Sequence, residues 1–443
     1  MSAKGIVIAA PSSGSGKTLV SLGLMAAVKR KGVRVAAAKV GPDYIDPAFH
    51  RAALGRFGTT LDGWAMGDAL LASRVARASE DADLVICEGV MGLLDGADVP
   101  AGDRDGSTGQ IAKTTGWPVI LVVDGGRMAG SAAAVVCGFA HVRDDVQVAG
   151  VIFNRVGTER HKAMILRSMQ HYCPTVAVLG FLPYSAALVV PSRHLGLVQA
   201  AEHPDLQAFI DAAAGLIEQH VDLDLVMALA QAGRVESTGA VALRPLGQRI
   251  ALAQDVAFAF AYNDIVLDWR KRGAEIVPFS PLADQAPASD CDAVYLPGGY
   301  PELSAGLLAG NSRFKSGLKQ AAERGATLFG ECGGYMVMGQ TMIDEKGIAH
   351  EMAGVLPVVT SMENPKRHLG YRRATLVAGT SLGEAGTVFK GHEYHYAVEI
   401  SRQGPELFQT SAADGLSLCS AGCLLGGAMG SFVHLISAES IGC

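Results

Sequence analysis

Residues 5–22 read GIVIAAPSSGSGKTLVSL, and the order of residue types within them decides the fold of the first half of the chain. Ile6, Val7, Ile8, Ala9 and Ala10 form an unbroken apolar run, the pattern of a strand buried on both faces. The glycine-rich PSSGSGKT follows at once, and LVSLGLMAAVKR continues as a helix. Strand, loop and helix in this order make a phosphate-binding loop, because loop N–H groups and the helix N-terminus together cradle an anion. Gly14, Gly16, Lys17 and Thr18 occupy the end of that loop, with Lys17 reaching the outer phosphates and Thr18 offering its hydroxyl to Mg²⁺. Pro11 stands where the common motif has its first glycine. A glycine-rich turn with no ligand is the plain alternative, and the order of strand, loop and helix weighs against it.

Working outward, a strand-like RVAAAKV runs into GPDYIDP, which places Asp43 and Asp46 just past a strand end, where α/β sheets bind ligands. DLVICEGVMGLLDG is a further apolar strand that ends in Glu88, with Asp95 in the glycine-rich loop behind it. A carboxylate at the tip of such a strand is a natural Mg²⁺ partner for the loop threonine. Helix capping explains any one of these acids, but four around one phosphate loop favour metal and phosphoryl chemistry. PVILVVD, VAGVIFNRV and TVAVLGFLP read as more buried strands, spaced by helix-length segments. The expected architecture is a doubly wound, mostly parallel sheet. Asn154 and Arg155, past one strand end, can touch base or phosphate or form a surface turn. Arg193 and His194 in SRHLGLVQA face either an acidic substrate or solvent.

At 443 residues the chain exceeds what one core usually supports, so length alone points to two or three domains. Its 49% hydrophobic content and 54 glycines fit α/β domains with buried strands. A net charge of −6 argues against general nucleic-acid binding. No apolar run reaches membrane-spanning length, and the short N-terminal one ends in the phosphate loop without a cleavage-site pattern. Eight cysteines lack metal-ligand spacing and read as reduced thiols of a cytoplasmic protein. Periodicity weakens from Gly233 to Gln248, which separates a domain at 1–235 from one at 249–443.

The second domain restarts with the strand RIALAQDV, the helical NDIVLDWRKRG and the strand AEIVPF, so a second α/β sheet is expected. DAVYLPGGYPEL and ATLFGECGGYMVM follow. Gly330 and Gly334 lie two residues either side of Cys332, as in the sharp strand-to-helix turns that expose a nucleophile. A lone thiol after a strand is more often packing than catalysis. Two further pieces shift that balance: Gly298 and Gly299 can line an oxyanion hole, with Gly299 and Gly333 the expected pair, and His434 in GAMGSFVHLI can act as general base.

These motifs carry two resemblances. The phosphate loop, the aspartates and Glu88 are similar to the dethiobiotin synthetase group of ATP-dependent carboxylate-activating enzymes. The stretch from Arg249 onward resembles class I glutamine amidotransferases, in which the cysteine hydrolyses glutamine to ammonia. Their usual triad has a glutamate two residues after the histidine; Ile436 stands there, as in the dyad branch, which leaves a nearby carbonyl or an acid such as Glu393 to orient His434. PSSGSGKT, KVGPDYIDP, CEGVMGLLDG, FNRV, PGGYPEL, GECGGYM, HLGYR, GHEYHY and GSFVHL, in that order, resemble the cobyrinic or hydrogenobyrinic acid a,c-diamide synthases of cobalamin biosynthesis.

That resemblance implies ATP, Mg²⁺ and L-glutamine as reactants and cofactors, and a corrin polycarboxylate as substrate. It implies a glutamine-hydrolysing carbon–nitrogen ligase that makes an acyl phosphate for ammonia to attack. Cys332 and His434 would be the glutaminase pair, and Asp46 and Asp95 would serve the activated carboxylate. Thr18, Asp43 and Glu88 would hold Mg²⁺, and Gly14, Gly16, Lys17, Thr18 and Asn154 the nucleotide. Arg193, His194 and Arg372 are expected at the substrate, Arg372 within the basic run Lys366, Arg367, His368, Arg372 and Arg373, which is otherwise a solvated face. His392, Glu393 and His395 of GHEYHY are expected in substrate contact or packing, without a dedicated transition-metal site. Neither nucleic acid nor a membrane is expected as a partner, and a homodimer is compatible with the sequence. Nickel-sirohydrochlorin or another corrin as substrate, or an ATPase switch with a vestigial second domain, are the other readings.

Overall fold

The apolar runs of the first half pair side by side in a computed structural model, which describes residues 3–188, 192–193, 196–197, 199–235 and 239–439. The chain divides into two compact units, Met1–Ala97 with Gly102–Ala240, and Asp98–Ala101 with Val241–Cys443.

In the first unit the strands are β1 (Lys4–Ala9), β2 (Val35–Val40), β3 (Thr59–Leu61), β4 (Leu84–Glu88), β5 (Val119–Asp124), β6 (Val148–Asn154) and β7 (Ala177–Phe181). They lie in the order β3-β2-β4-β1-β5-β6-β7, with every pair parallel. Two-residue strands follow at β8 (Ser192–Arg193), β9 (Gly196–Leu197) and β10 (Gln231–Ala232), and β10 pairs antiparallel with β1. The helices are α1 (Lys17–Arg30), α2 (Asp46–Leu54), α3 (Asp68–Ser79), α4 (Thr108–Thr115), α5 (Ser131–His141), α6 (Glu159–Tyr172), α7 (Leu206–His220) and α8 (Leu223–Leu229). Because parallel strands need crossover helices on both faces, β4 is buried along its whole length, β1 from Gly5 and β5 as far as Val123, and their interiors read as hydrophobic runs. Leu22 and Met25 of α1 and Ile210, Ala213 and Ile217 of α7 share one core with Ile6 and Ile8 of β1. The strand order reverses around β1. The carboxyl ends of β1, β2 and β4 therefore open onto one crevice, the usual ligand position of such sheets.

The second unit carries β11 (Arg249–Ala253), β12 (Glu275–Phe279), β13 (Ala293–Leu296) and β14 (Thr327–Glu331), with α9 (Asn263–Lys271), α10 (Ala305–Gly310), α11 (Ser312–Glu323) and α12 (Gly333–Met338). Phe314, Gly317, Leu318 and Ala321 form the buried stripe of α11, at the spacing that makes a surface helix amphipathic. Behind α12 the chain turns to β structure: β15 (Thr341–Ile343), β16 (Ala349–Glu351), β17 (Val358–Ser361), β18 (His368–Leu376), β19 (Val388–His395), β20 (Val398–Arg402), β21 (Glu406–Ser411), β22 (Ala421–Leu425), β23 (Ala428–Ser431) and β24 (His434–Ala438). A mixed sheet runs β12-β11-β13-β14-β23-β22-β21-β18-β19-β24, parallel from β12 to β23 and antiparallel beyond. β16-β15-β17-β20 form a smaller sheet. Among the described residues no helix is long and apolar enough to cross a membrane.

The turn from β14 into α12 sets the spacing of the second unit. A Cβ on Gly334 would come 2.0 Å from the Leu296 carbonyl oxygen of β13, so only glycine lets the helix settle this close to the neighbouring strand. Gly334→Ala is expected to cost the second unit about 1–3 kcal/mol, as overpacking of a filled core does, and to lower its melting temperature. Circular dichroism melting checks this; an unchanged transition would contradict the packing described.

Candidate active sites

The loop between β1 and α1 is shaped by two left-handed glycines, Gly14 at φ 80° and Gly16 at φ 94°. Asn154 at the end of β6 lies beneath it: its Nδ2 donates to the Ser15 carbonyl at 2.9 Å, and a Cβ on Gly16 would meet that nitrogen at 2.2 Å. Arg155 adds a second brace, donating to the Gly14 carbonyl at 3.1 Å and pairing with Asp124 of β5. Asn154, expected at the nucleotide, thus holds the loop from below. Lys17 donates to the Met91 carbonyl at 3.2 Å, and Asp95 accepts the Gly92 amide at 2.8 Å within the same glycine-rich loop.

Around this loop lies a charged cluster larger than the sequence suggested. The side chain of Glu88, wholly buried, accepts the Thr18 hydroxyl at 2.7 Å on one oxygen and faces His50 Nε2 at 2.7 Å on the other. Lys39, the register partner of Glu88 across β2 and β4, points its ammonium at Asp46 (2.9 Å), Asp43 (3.6 Å) and Glu88 (3.8 Å). It also donates to the Gly89 carbonyl at 2.9 Å. Asp43 spends its other oxygen on the amides of Ile45 and Asp46 at the start of α2.

The cluster splits the proton affinities. Burial works against the charge of Glu88, but Lys39 and His50 hold its carboxyl well below the usual range. Burial, Asp43 and Glu88 push Asp46 well above it, against the pull of Lys39. Burial also opposes the charge of Lys39, yet Asp46, Glu88 and Asp43 raise its pKa. Burial and the nearby Lys39 lower that of Lys17. The result is one acid whose charge is favoured beside a hydroxyl and one whose proton affinity is raised, a division of roles typical of reactive sites.

Thr18 and Glu88 offer hard oxygen donors of the kind Mg²⁺ takes. Among the described residues no group of three or more His, Cys, Asp or Glu could hold a metal ion by itself. Lys39 and His50 were not singled out from the sequence. A lysine inside the apolar run VAAAKV was the available signal, since a buried lysine demands acidic partners.

In the second unit Cys332 sits between β14 and α12 at φ 47°, ψ −107°, a conformation costing a non-glycine residue about 1–3 kcal/mol and found mainly at functional sites. Its amide donates to the Ser431 carbonyl of β23 at 2.8 Å. His434 begins β24. A Cβ on Gly298 would come 2.3 Å from His434 Cε1, 3.1 Å from its Nε2 and 3.3 Å from Cys332 Cβ, so thiol and imidazole flank one small space that Gly298 leaves open. A Cβ on Gly333 would stand 3.2 Å from the Gly299 nitrogen, which brings the two expected oxyanion-hole segments together. Burial pushes the Cys332 thiol up, with Glu302 adding to it and the Gly333 amide opposing. Burial, with His392 and His395 nearby, lowers His434 to about 3. The resting pair is therefore a neutral thiol beside a neutral imidazole, the state in which the imidazole can accept the proton.

Glu393 pairs with Arg372 across β18 and β19 at 2.7 Å, so the acid considered for orienting His434 and the arginine expected at the substrate bind each other. Arg373 pairs with Glu439 at 2.6 Å. His395 donates Nδ1 to the Ala397 carbonyl at 2.9 Å and stacks between His368 and Phe432, a packing role within GHEYHY. Arg193 lies in β8 with its side chain outside what the structure describes, and His194 lies outside the described residues.

Residues 6–198 match the CobQ/CobB/MinD/ParA nucleotide binding domain, and residues 249–440 the CobB/CobQ-like glutamine amidotransferase domain. The chain thus joins a nucleotide-binding domain to a glutamine amidotransferase domain. It is 48% identical over 438 residues to hydrogenobyrinate a,c-diamide synthase of Brucella anthropi, covering 98% of each chain. The proteins of that name from Rhizobium meliloti and Rhodobacter capsulatus are 50% and 48% identical, covering 98% of this chain and 99% of theirs. The chain belongs to the hydrogenobyrinate a,c-diamide synthase family.

Lys39→Met should remove the cation that three acids share. Breaking such a buried pair costs about 3–5 kcal/mol, so the first unit should melt earlier and lose nucleotide binding. Calorimetric titration with ATP and Mg²⁺ checks this; wild-type affinity would contradict the cluster's role.

Proposed function

We propose that this protein amidates the a- and c-side-chain carboxylates of hydrogenobyrinic acid, drawing nitrogen from L-glutamine and energy from ATP. The observation that carries the reading is the presence, in one chain, of a phosphate loop with its acidic cluster and a strained cysteine elbow beside a neutral histidine. The near-complete overlap with relatives of that name supports the substrate.

The chemistry needs both units. A carboxylate resists attack by a nucleophile because it is anionic and has no good leaving group. Attack of a substrate carboxylate oxygen on the γ-phosphorus, with ADP leaving, makes an acyl phosphate. Ammonia then attacks the acyl carbon, and inorganic phosphate leaves with the former carboxyl oxygen. Gly14, Gly16 and the α1 N-terminus would hold the phosphates, while Lys17 meets the charge that develops on transfer. Thr18 and Glu88 would hold Mg²⁺, with Asp43 beside them; when bound, the ion neutralises phosphate charge. Asp46 and Asp95 would stand at the activated carboxylate, and Lys39 keeps Asp46 in place. In the second unit Cys332 would attack the glutamine amide with His434 as base, and the Gly299 and Gly333 amides would receive the oxyanion.

Mass spectrometry of products from hydrogenobyrinic acid, cobyrinic acid and nickel-sirohydrochlorin, each with ATP, Mg²⁺ and glutamine, tests the assignment. A doubly amidated hydrogenobyrinic acid is expected. Cys332→Ala should abolish the reaction with glutamine and keep it with ammonium salt, since only the nucleophile is lost. Persistent glutamine-driven amidation in that variant would remove Cys332 from the reaction.

A further inference from the structure

The position two residues after His434 is Ile436, buried in β24 and unable to orient an imidazole. The acid that does face His434 comes from another strand. Glu331, the last residue of β14 and the one before Cys332, sets Oε2 at 3.9 Å from His434 Nδ1. Both side chains are almost wholly buried, at 3% and 2% exposure. The carboxylate is fixed on two sides: Oε1 accepts the Leu435 amide at 2.9 Å and Oε2 accepts the Tyr295 hydroxyl at 2.6 Å. Because Leu435 is the neighbour of His434, the first of these bonds also ties β24 to the elbow strand.

We infer that Glu331 is the positioning residue of the glutaminase site, holding His434 through Nδ1 so that the opposite edge of the ring meets Cys332. This rests on the glutaminase reading above. The ring is oriented for it: the Cε1–Nε2 edge borders the space shared with Cys332, and Nδ1 faces the carboxylate. When glutamine binds, the Cys332 proton passes to Nε2 and the thiolate bonds to the amide carbon. The imidazolium then returns that proton to the nitrogen as the C–N bond breaks and ammonia leaves. Water hydrolyses the thioester to glutamate. Glu331 neither gains nor loses a proton in these steps; its negative charge beside Nδ1–H stabilises the imidazolium while it exists. A separation of 3.9 Å in the absence of substrate is ordinary for such contacts, which tighten as the reactive complex forms.

The charge of Glu331 then matters, and its surroundings set when it is present. Burial pushes its carboxyl up to about 7, against the hydrogen bonds from Tyr295 and Leu435. The other titratable groups around the site are Cys332 beside it, His392 and His395 on β19, Glu393 on the same strand, and Glu302 after β13, itself raised to about 7 by burial. As pH falls through 7 Glu331 takes a proton, its negative charge disappears, and glutamine hydrolysis falls. His434, held near 3, would give no such limb until far lower pH.

The test is glutamate release by the full-length protein against pH. Glu331→Gln keeps the acceptor for Leu435 but removes the charge. Its kcat should fall roughly 10²-fold or more while KM for glutamine changes little, and the acid limb near neutrality should vanish. Wild-type kcat with an unchanged limb would overturn the inference. Should that variant fail to fold, Tyr295→Phe removes a bond that favours the carboxylate, so the limb should move to higher pH; an unmoved limb overturns the inference equally. Cys332→Ala separates the two levels: if it still hydrolyses glutamine, the elbow reading itself falls. If it is inactive while Glu331→Gln behaves as wild type, only the role of Glu331 falls.

Discussion

The first unit is organised around keeping one buried carboxylate charged. An ion moved from water into a protein interior loses several kcal/mol of solvation, and burial alone would protonate it. Glu88 escapes because Thr18, His50 and Lys39 converge on it from the phosphate loop, α2 and β2. Each of those elements is therefore fixed relative to the tip of β4. The parallel sheet supplies the register that puts Lys39 and Glu88 side by side. Burial and the crowding of Asp43 and Glu88 then raise the proton affinity of Asp46, against the pull of the same ammonium. Fold and electrostatics constrain each other here: move β2 by one residue and Lys39 points to the other face of the sheet.

The second unit repeats the device with a different outcome. Glu331 also ends a central parallel strand, and it too meets a hydroxyl, Tyr295, and a histidine, His434. No lysine stands among the groups that shift it, so burial leads and the carboxyl rises to about 7 instead of falling. One glutamate is thus built to stay ionised beside a phosphate loop, and the other to respond near neutrality beside a thiol. The elbow combines the strained φ of Cys332 with the close approach of Gly334 to Leu296.

The phosphate loop, the buried parallel strands and the cysteine elbow were legible because each is written locally: an apolar run, a glycine turn, a nucleophile between glycines. Asn154 was visible as a polar residue at a strand end, but its work beneath the loop depends on β6 lying near β1, which no local pattern reveals. Lys39 and His50 each look like one polar residue in an apolar segment until their acids are placed around them. The antiparallel strands from β18 to β24 carry mixed polar residues and gave no clean alternation, so HLGYRR read as a charged run. Pairing shows instead that Arg372 and Arg373 are bound to Glu393 and Glu439. Glu331 carries no local signal of its own, since it ends an apolar strand and meets His434 only once β24 is folded beside it.

In the proposed function the two units serve one carboxylate, activated by phosphorylation and then captured by ammonia. Oxygen tracing tests it most directly. Hydrogenobyrinic acid labelled with ¹⁸O in its carboxylates should, on amidation with ATP and glutamine, deliver one labelled oxygen to inorganic phosphate for every amide formed. Amide formation with unlabelled phosphate would mean that no acyl phosphate forms, and the role assigned to the phosphate loop and its acidic cluster would have to be abandoned.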